Sequence, residues 1–152
     1  MITINTSSLG EMTITEEQII NFPEGIPGFV ELHRFTLLPI DPELPFAYLQ
    51  SVDEEMIHFI VVNPFHIYPL YDIHLDHEIQ EELEIEAPED VEVWSILTIR
   101  DSFDTATVNL MAPVIINSKK RSGKQIVLHQ SNYTTRHMLS DLIHSTNTET
   151  KG

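Results

Sequence analysis

The chain has 152 residues, 41% of them hydrophobic, no cysteine, and 24 acidic against 8 basic residues, for a formal net charge of −16. A chain this long folds as one domain that buries roughly two thirds of its unfolded surface, which excludes wholesale disorder. The missing cysteines exclude disulfides, thiolate zinc sites and cysteine nucleophiles, and they suit a reducing, cytoplasmic setting.

From the N-terminus, Ile2 and Ile4 alternate with Thr3 and Asn5, a strand signature. No basic stretch followed by an apolar one opens the sequence, so no secretory signal is expected. Leu9-Gly10-Glu11 turns the chain, Met12 to Thr15 alternates again, and Gln18 to Phe22 is a further short strand. Residues 22–29 then make a double turn. Phe22-Pro23-Glu24-Gly25 suits type I, and Ile26-Pro27-Gly28-Phe29 suits type II, whose third position needs the positive φ that glycine accepts. Two prolines stiffen this loop, so Ile26 and Phe29 are either a plug for the core or an apolar anchor for a partner. Lone apolar loop residues usually tuck inward.

Arg34 to Ile40 predicts a strand stopped by Asp41-Pro42 and Pro45, and Phe46 to Val52 the next. Asp53-Glu54-Glu55 turns the chain into Met56 to Asn63. Within it Phe59-Ile60-Val61-Val62 is apolar on both faces, as a central strand should be. Asn63-Pro64 ends it, and residues 67–75 alternate loosely. Asp76 to Leu83 predicts one short helix, with Asp76 as N-cap, Glu78 near the positive end of the dipole and Ile79 and Leu83 on one face. Glu81 and Glu82 then point outward. Ala87 to Asp90 is a loop, and Val91 to Arg100 is the longest strand, carrying the only tryptophan, Trp94.

The stretch from Thr105 to Asn117 organises the rest. Pro113 cannot donate a ladder hydrogen bond, so two short strands are expected, 105–111 and 114–117, with a bend at Ala112-Pro113. Pleating puts Thr107, Asn109 and Met111 on one face and Val108, Leu110 and Ala112 on the other. Asn109 would sit mid-strand, where asparagine is disfavoured, so it either closes a local backbone network or faces a partner. Ser118 to Lys124 reads as a polar loop and Gln125 to Gln130 as its return strand. Residues 133–144 suit a strand or a helix, and residues 146–152 a disordered tail. Together these elements predict an all-β fold, a compact antiparallel barrel-like domain (barrel or sandwich) over residues 1–145 with one short helix near 76–83.

Charge is unevenly distributed. No lysine or arginine lies between Arg34 and Arg100, while fifteen aspartates and glutamates do, ten of them from Asp72 to Glu92. Such a surface repels nucleic acid and anionic membranes and attracts basic proteins; its plainer reading is solubility. Lys119 to Lys124 holds four of the eight basic residues and reads as a solvated hairpin tip or, less in keeping with so acidic a protein, a nucleic-acid patch. On a strand, Asp72, His74 and Asp76 would share a face able to hold a divalent metal; a polar outer face is the plainer reading. No nucleophile elbow, phosphate-binding loop or Gly-x-Gly-x-x-Gly occurs, so no enzyme is expected and no cofactor. No apolar run approaches the ~20 residues of a membrane helix.

The run Asn109-Leu110-Met111-Ala112-Pro113-Val114-Ile115-Ile116-Asn117 resembles the central motif of the flagellar assembly factor FliW family. The resemblance extends from about residue 1 to about residue 138 and takes in residues 22–29, Pro45-Phe46, Leu49-Gln50-Ser51, Phe59 to Pro64 and Gly123-Lys124-Gln125. Ile26 stands where many members have leucine and Val114 where many have isoleucine, both conservative. The resemblance implies a cytoplasmic, non-enzymatic factor with a β-barrel-like fold. It implies that the protein binds flagellin, and that it binds and antagonises the RNA-binding translational repressor CsrA. Accumulating flagellin would capture the factor and free CsrA to repress flagellin translation, and flagellin secretion would reverse this. The candidate partner-binding residues are Asp72, Glu78, Glu81 and Glu82 on the acidic face, with Asn109, Ile26 and Phe29. The alternative is a metal-binding module or metal-dependent enzyme centred on His74.

Overall fold

A computed structural model of the protein describes residues 1–142 except 8, 42 and 130. The strands are β1 Ile2–Thr6, β2 Gly10–Ile14, β3 Ile20–Asn21, β4 Arg34–Pro39, β5 Phe46–Ser51 and β6 His58–Val62, then β7 Val91–Thr98, β8 Thr107–Val108, β9 Val114–Asn117, β10 Ser122–Gln125 and β11 His137–Met138. Two short helices, α1 Pro64–Ile67 and α2 His77–Glu82, lie between β6 and β7. β1 and β2 form a separate hairpin. From β7 the sheet runs through β6, β5, β4, β3 and β10 to β9, which pairs back onto β7 and closes a seven-stranded barrel. Closure leaves these strands no open ladder edge. Among the described residues all but one of the pairings are antiparallel; β10 meets β3 in parallel at Ser122 and Asn21.

β7 is long because it serves two partners on one side. Val91 to Trp94 pair with β9, while Leu97 and Thr98 pair with β8, to which β11 adds. Pro113 sits between β8 and β9, where the chain leaves one ladder for the other. The alternation predicted here holds: Val108, Leu110 and Ala112 are buried and Thr107, Asn109 and Met111 half-buried.

The barrel interior is filled by Ile20, Phe35, Leu49, Val61, Val114 and Ile116, with Phe22 and Ile26 brought in from the Pro-Gly loop. Outside, the β1–β2 hairpin lays Ile4 and Ile14 against Leu38 of β4. α1, α2 and the chain between them lay Ile67, Tyr71 and Leu83 against Val62, Val93, Leu97 and Ile115. Coverage of both faces explains why β9 is buried at every position and why the end of β6 is apolar without alternation.

Several expected elements are shorter. Thr15 opens a 3-10 turn over Glu16–Gln18 with a reciprocal Thr15/Gln18 capping box, leaving Ile20–Asn21 as the strand. The strand expected over 105–111 is Thr107–Val108, and Asn109 lies just past its end. The strand expected over 125–130 is instead Ser122–Gln125, which keeps Gln125 but otherwise lies in the stretch read as a polar loop. The reason lies in the core: a Cβ on Gly123 would stand 2.7 Å from Cζ of Phe22, so glycine is there to let the ring lie on the strand. α1 was not foreseen, although Asn63-Pro64 carries its signal. Asn63 Oδ1 accepts from Phe65 N as N-cap, and Pro64 opens the helix. Residues 67–75 form no ladder among the described residues, so Asp72, His74 and Asp76 do not share a strand face. Within 133–144 the chain forms both elements in turn, β11 and then helical residues 139–142. The expected disordered tail lies outside the described residues.

Candidate functional site: the acidic face around α2

α2 is only six residues long, and its ends are held from outside. Asp76 Oδ1 accepts from Ile79 N at 3.1 Å, as the sequence predicted. Gln80 Nε2 donates to Leu75 O at 2.7 Å. At the far end Leu83 is buried, and Glu84 at φ +54° reverses the chain. Asn117 of β9 then secures that reversal. Its Nδ2 donates to Leu83 O at 2.8 Å and Glu84 O at 3.1 Å, while its Oδ1 accepts from Lys119 N and Lys120 N. The helix is therefore fixed to the barrel wall through a buried and fully engaged asparagine.

Asp72, Glu78, Glu81 and Glu82 are all exposed on this ordered segment. Two of the four are already engaged. Glu81 Oε1 lies 3.0 Å from His77 Nε2 one turn earlier. Glu82 Oε2 lies 2.8 Å from Lys124 Nζ, which also meets Glu24 Oε2 at 2.7 Å. Lys124 thus ties α2 to the Pro-Gly loop across β10. The two carboxylates hold the Lys124 ammonium above its usual range, and the ammonium holds the Glu24 carboxyl below its own. Asp72 and Glu78 remain the outward charges.

Two more basic residues of the 119–124 stretch are also turned to local use. Lys119 Nζ stands 3.9 Å from Glu86, and Arg121 Nη2 donates to Gln18 O at 3.3 Å. The stretch is a tight turn between β9 and β10, in which Lys119 and Lys124 face carboxylates and Arg121 a backbone carbonyl.

Two grooves flank α2. One, of about 500 Å³, is lined chiefly by apolar side chains, among them Phe65, Ile73, Leu75, Ile85, Val91 and Val93. The other, of about 870 Å³, is mixed, with Asp72, Asp76, Glu78 and Lys124 beside Ile79 and Leu128. His74 borders both. Among the described residues no three His, Asp or Glu side chains converge as a metal site would require. The metal reading of Asp72, His74 and Asp76 therefore has no geometry behind it.

Ile26 is 1% exposed and lies in the barrel core as a plug. Phe29 is half-buried, its ring edge-on to Phe59 at 5.5 Å. Both prolyl turns form as read: Gly25 N donates to Phe22 O, Phe29 N donates to Ile26 O, and Gly28 takes φ +91°. Asn109 Oδ1 accepts from Ala112 N at 2.9 Å, and its own N–H donates to Ile96 O. It closes the turn into Pro113 and does not stand among the α2 carboxylates.

Sequence reading missed the residues that position this face. Tyr71 is 3% exposed and its hydroxyl donates to Leu110 O at 2.7 Å, pinning the start of the acidic segment; burial pushes its phenol upward. Tyr133 Oη accepts from Asp72 N at 2.9 Å. Asn117 ends the motif but was not singled out, although an asparagine closing an apolar strand is the signal that could have marked it.

The sequence model of the family described as FliW protein matches residues 3–139. The chain belongs to the FliW family. It is 48% identical over 134 residues to the flagellar assembly factor FliW of Bacillus subtilis (strain 168), covering 88% of this chain and 94% of that one. It is 44% identical over 136 residues to the factor of the same name in Geobacillus kaustophilus (strain HTA426), covering 90% and 94%. A crystal structure of the flagellar assembly factor FliW superimposes with a TM-score of 0.85 at 42% identity, covering 91% of this chain and 96% of the other. The FliW barrel, its closure and its short helices are thus shared with a solved member.

Proposed function

We propose that this protein is a flagellar assembly factor, cytoplasmic and non-enzymatic, that works by binding two proteins in turn. One is flagellin. The other is the basic, RNA-binding repressor CsrA, which the factor holds away from RNA until flagellin displaces it. The single observation that supports this most directly is the acidic face on α2, in a chain of the FliW family. Ten acidic residues and no lysine or arginine lie between Asp72 and Glu92. The helix that presents three of them, Glu78, Glu81 and Glu82, is capped by Asp76 and held at its far end by Asn117, so little conformational entropy is lost when they meet a partner. A negative field there attracts a cationic protein and repels the phosphates bound to it, so antagonism does not require covering the RNA site. No catalytic step enters this account.

The test is a binding assay with purified CsrA and purified flagellin, followed by RNA competition. CsrA should be retained, should lose RNA in the complex, and should be released on adding flagellin. Failure to retain either protein would overturn the proposal.

A further inference from the structure

Residues 131–138 cross from the barrel to the start of the acidic segment, and one histidine holds the crossing together. Thr134 O accepts from Leu110 N and Met111 N, both at 3.2 Å, just before the bend at Pro113. Tyr133 reaches the other way: its hydroxyl accepts from Asp72 N at 2.9 Å, and its ring lies 4.7 Å from that of Tyr71. The turn from there into β11 is closed by Thr134 N, which donates to His137 Nε2 at 2.8 Å. A backbone N–H can only donate, so this ring nitrogen must carry its lone pair. Protonation would set two N–H groups against each other. Nothing that packs on the ring compensates the charge. β8 opposite offers Val108 and Thr107, and the Tyr133 ring stands at 6.2 Å. Arg136 is the adjacent charge in sequence, and Asp141, in the helical residues that follow, forms no ion pair with His137.

We propose that residues 131–138 are a proton-sensitive strap. With His137 neutral they hold the start of the acidic segment against the barrel; with His137 protonated the turn at Thr134 opens and Tyr133 releases Asp72. The release is local. Asp76, Asn117 and Lys124 hold α2 through contacts that do not involve the strap, so Asp72 gains freedom while α2 stays in place. Burial lowers the His137 pKa below its ordinary value, so the strap is closed at neutral pH and opens on acidification.

The test is amide hydrogen exchange read by NMR between pH 7 and pH 5, expressed as protection relative to the unfolded chain. Protection of the Asp72 and Thr134 amides should fall together, by about tenfold, along the titration of the His137 ring signals. That of Ile79, held by Asp76, should stay constant. In His137→Gln, whose side-chain oxygen accepts but does not titrate, Asp72 protection should hold across the range. Tyr133→Phe removes only the acceptor: Asp72 should then be unprotected at both ends of the range, with Thr134 still following His137. Asp72 protection that ignores the His137 titration in the unmodified protein overturns the strap, and so does an equal fall in a folded His137→Gln variant.

Discussion

Four asparagine and glycine positions show how much depends on single atoms. Asn109 has its side-chain oxygen on Ala112 N and its amide on Ile96 O, so it acts on the backbone. Asn109→Ala should lower stability by ~1–3 kcal/mol through the donor it leaves unsatisfied, and leave CsrA and flagellin affinity unchanged once folded. Chemical denaturation alongside a binding assay checks this, and weakened binding at full stability would contradict it. Gly25 and Gly28 both have positive φ but differ in surroundings. A Cβ at Gly28 meets nothing within 4 Å, whereas at Gly25 it would stand 2.6 Å from Cα of Val30. Asparagine tolerates positive φ, so Gly28→Asn should be nearly neutral while Gly28→Val costs ~1–3 kcal/mol. Gly25→Asn should be damaging because the backbone of Val30 cannot give way. Equal melting temperatures for the two asparagine variants would refute the distinction. Gly123→Ala presses on Phe22 and should cost ~1–3 kcal/mol by overpacking, with Phe22→Leu in the same chain recovering part of it.

At the scale of elements, local chemistry was legible where it was local. The two prolyl turns, the Asp76 cap and the helix it starts, and the break at Pro113 each follow from adjacent residues. What was not legible depended on distant partners. Gly123 looked like loop because Phe22, whose ring occupies its face, is about a hundred residues away in sequence. Asn109 looked like a strand interior because the transfer from one ladder to another is decided by β7, not by its neighbours. Glu82 looked like a free surface charge, and Lys124 takes it. The pairing of β11 on β8 has its own condition. Thr134 N–H donates to His137 Nε2 at 2.8 Å, which needs that nitrogen unprotonated. Burial lowers the His137 pKa below its ordinary value of about 6.5. The unfolded chain then binds the proton more readily, so this contribution is full above the unfolded pKa and is lost as pH falls through the folded one. Melting temperature should therefore drop more steeply from pH 7 towards pH 5 in the unmodified protein than in His137→Gln, which keeps an acceptor that does not titrate. Parallel profiles would show that the bond does not carry the effect.

For the whole molecule, the closed barrel gives rigidity and the outer layer carries the acidic face proposed to meet the partner. The barrel has no open ladder edge in its ring and is filled with ordinary apolar side chains. Both covering layers, the β1–β2 hairpin and the α1–α2 segment, lie on its outside. The second layer carries the acid, and it is pinned to the wall by Asn117, Tyr71 and Lys124. The class of fold could be read from strand periodicity, and the face from charge. Which carboxylates are outward could not, because that depends on where β10 places Lys124. Asp72 and Glu78 are therefore the outward positions to reverse, with Glu81 added because its contact is with His77 and not with a lysine, whereas Glu82→Lys would set two ammonium groups together at the Lys124 contact.

The most direct test of the acidic face is the rate of association with CsrA measured against ionic strength, for the unmodified protein and for an Asp72→Lys, Glu78→Lys, Glu81→Lys variant. Screening shortens from ~10 Å at 0.1 M salt to ~3 Å at 1 M, so a rate set by this field must fall as salt rises. The unmodified protein should associate fast at low salt and slow steeply. The variant, folded and with its melting transition intact, should associate at least about tenfold more slowly at low salt and lose most of the salt slope. A folded variant that keeps the original rate, slope and ability to displace RNA would contradict the account.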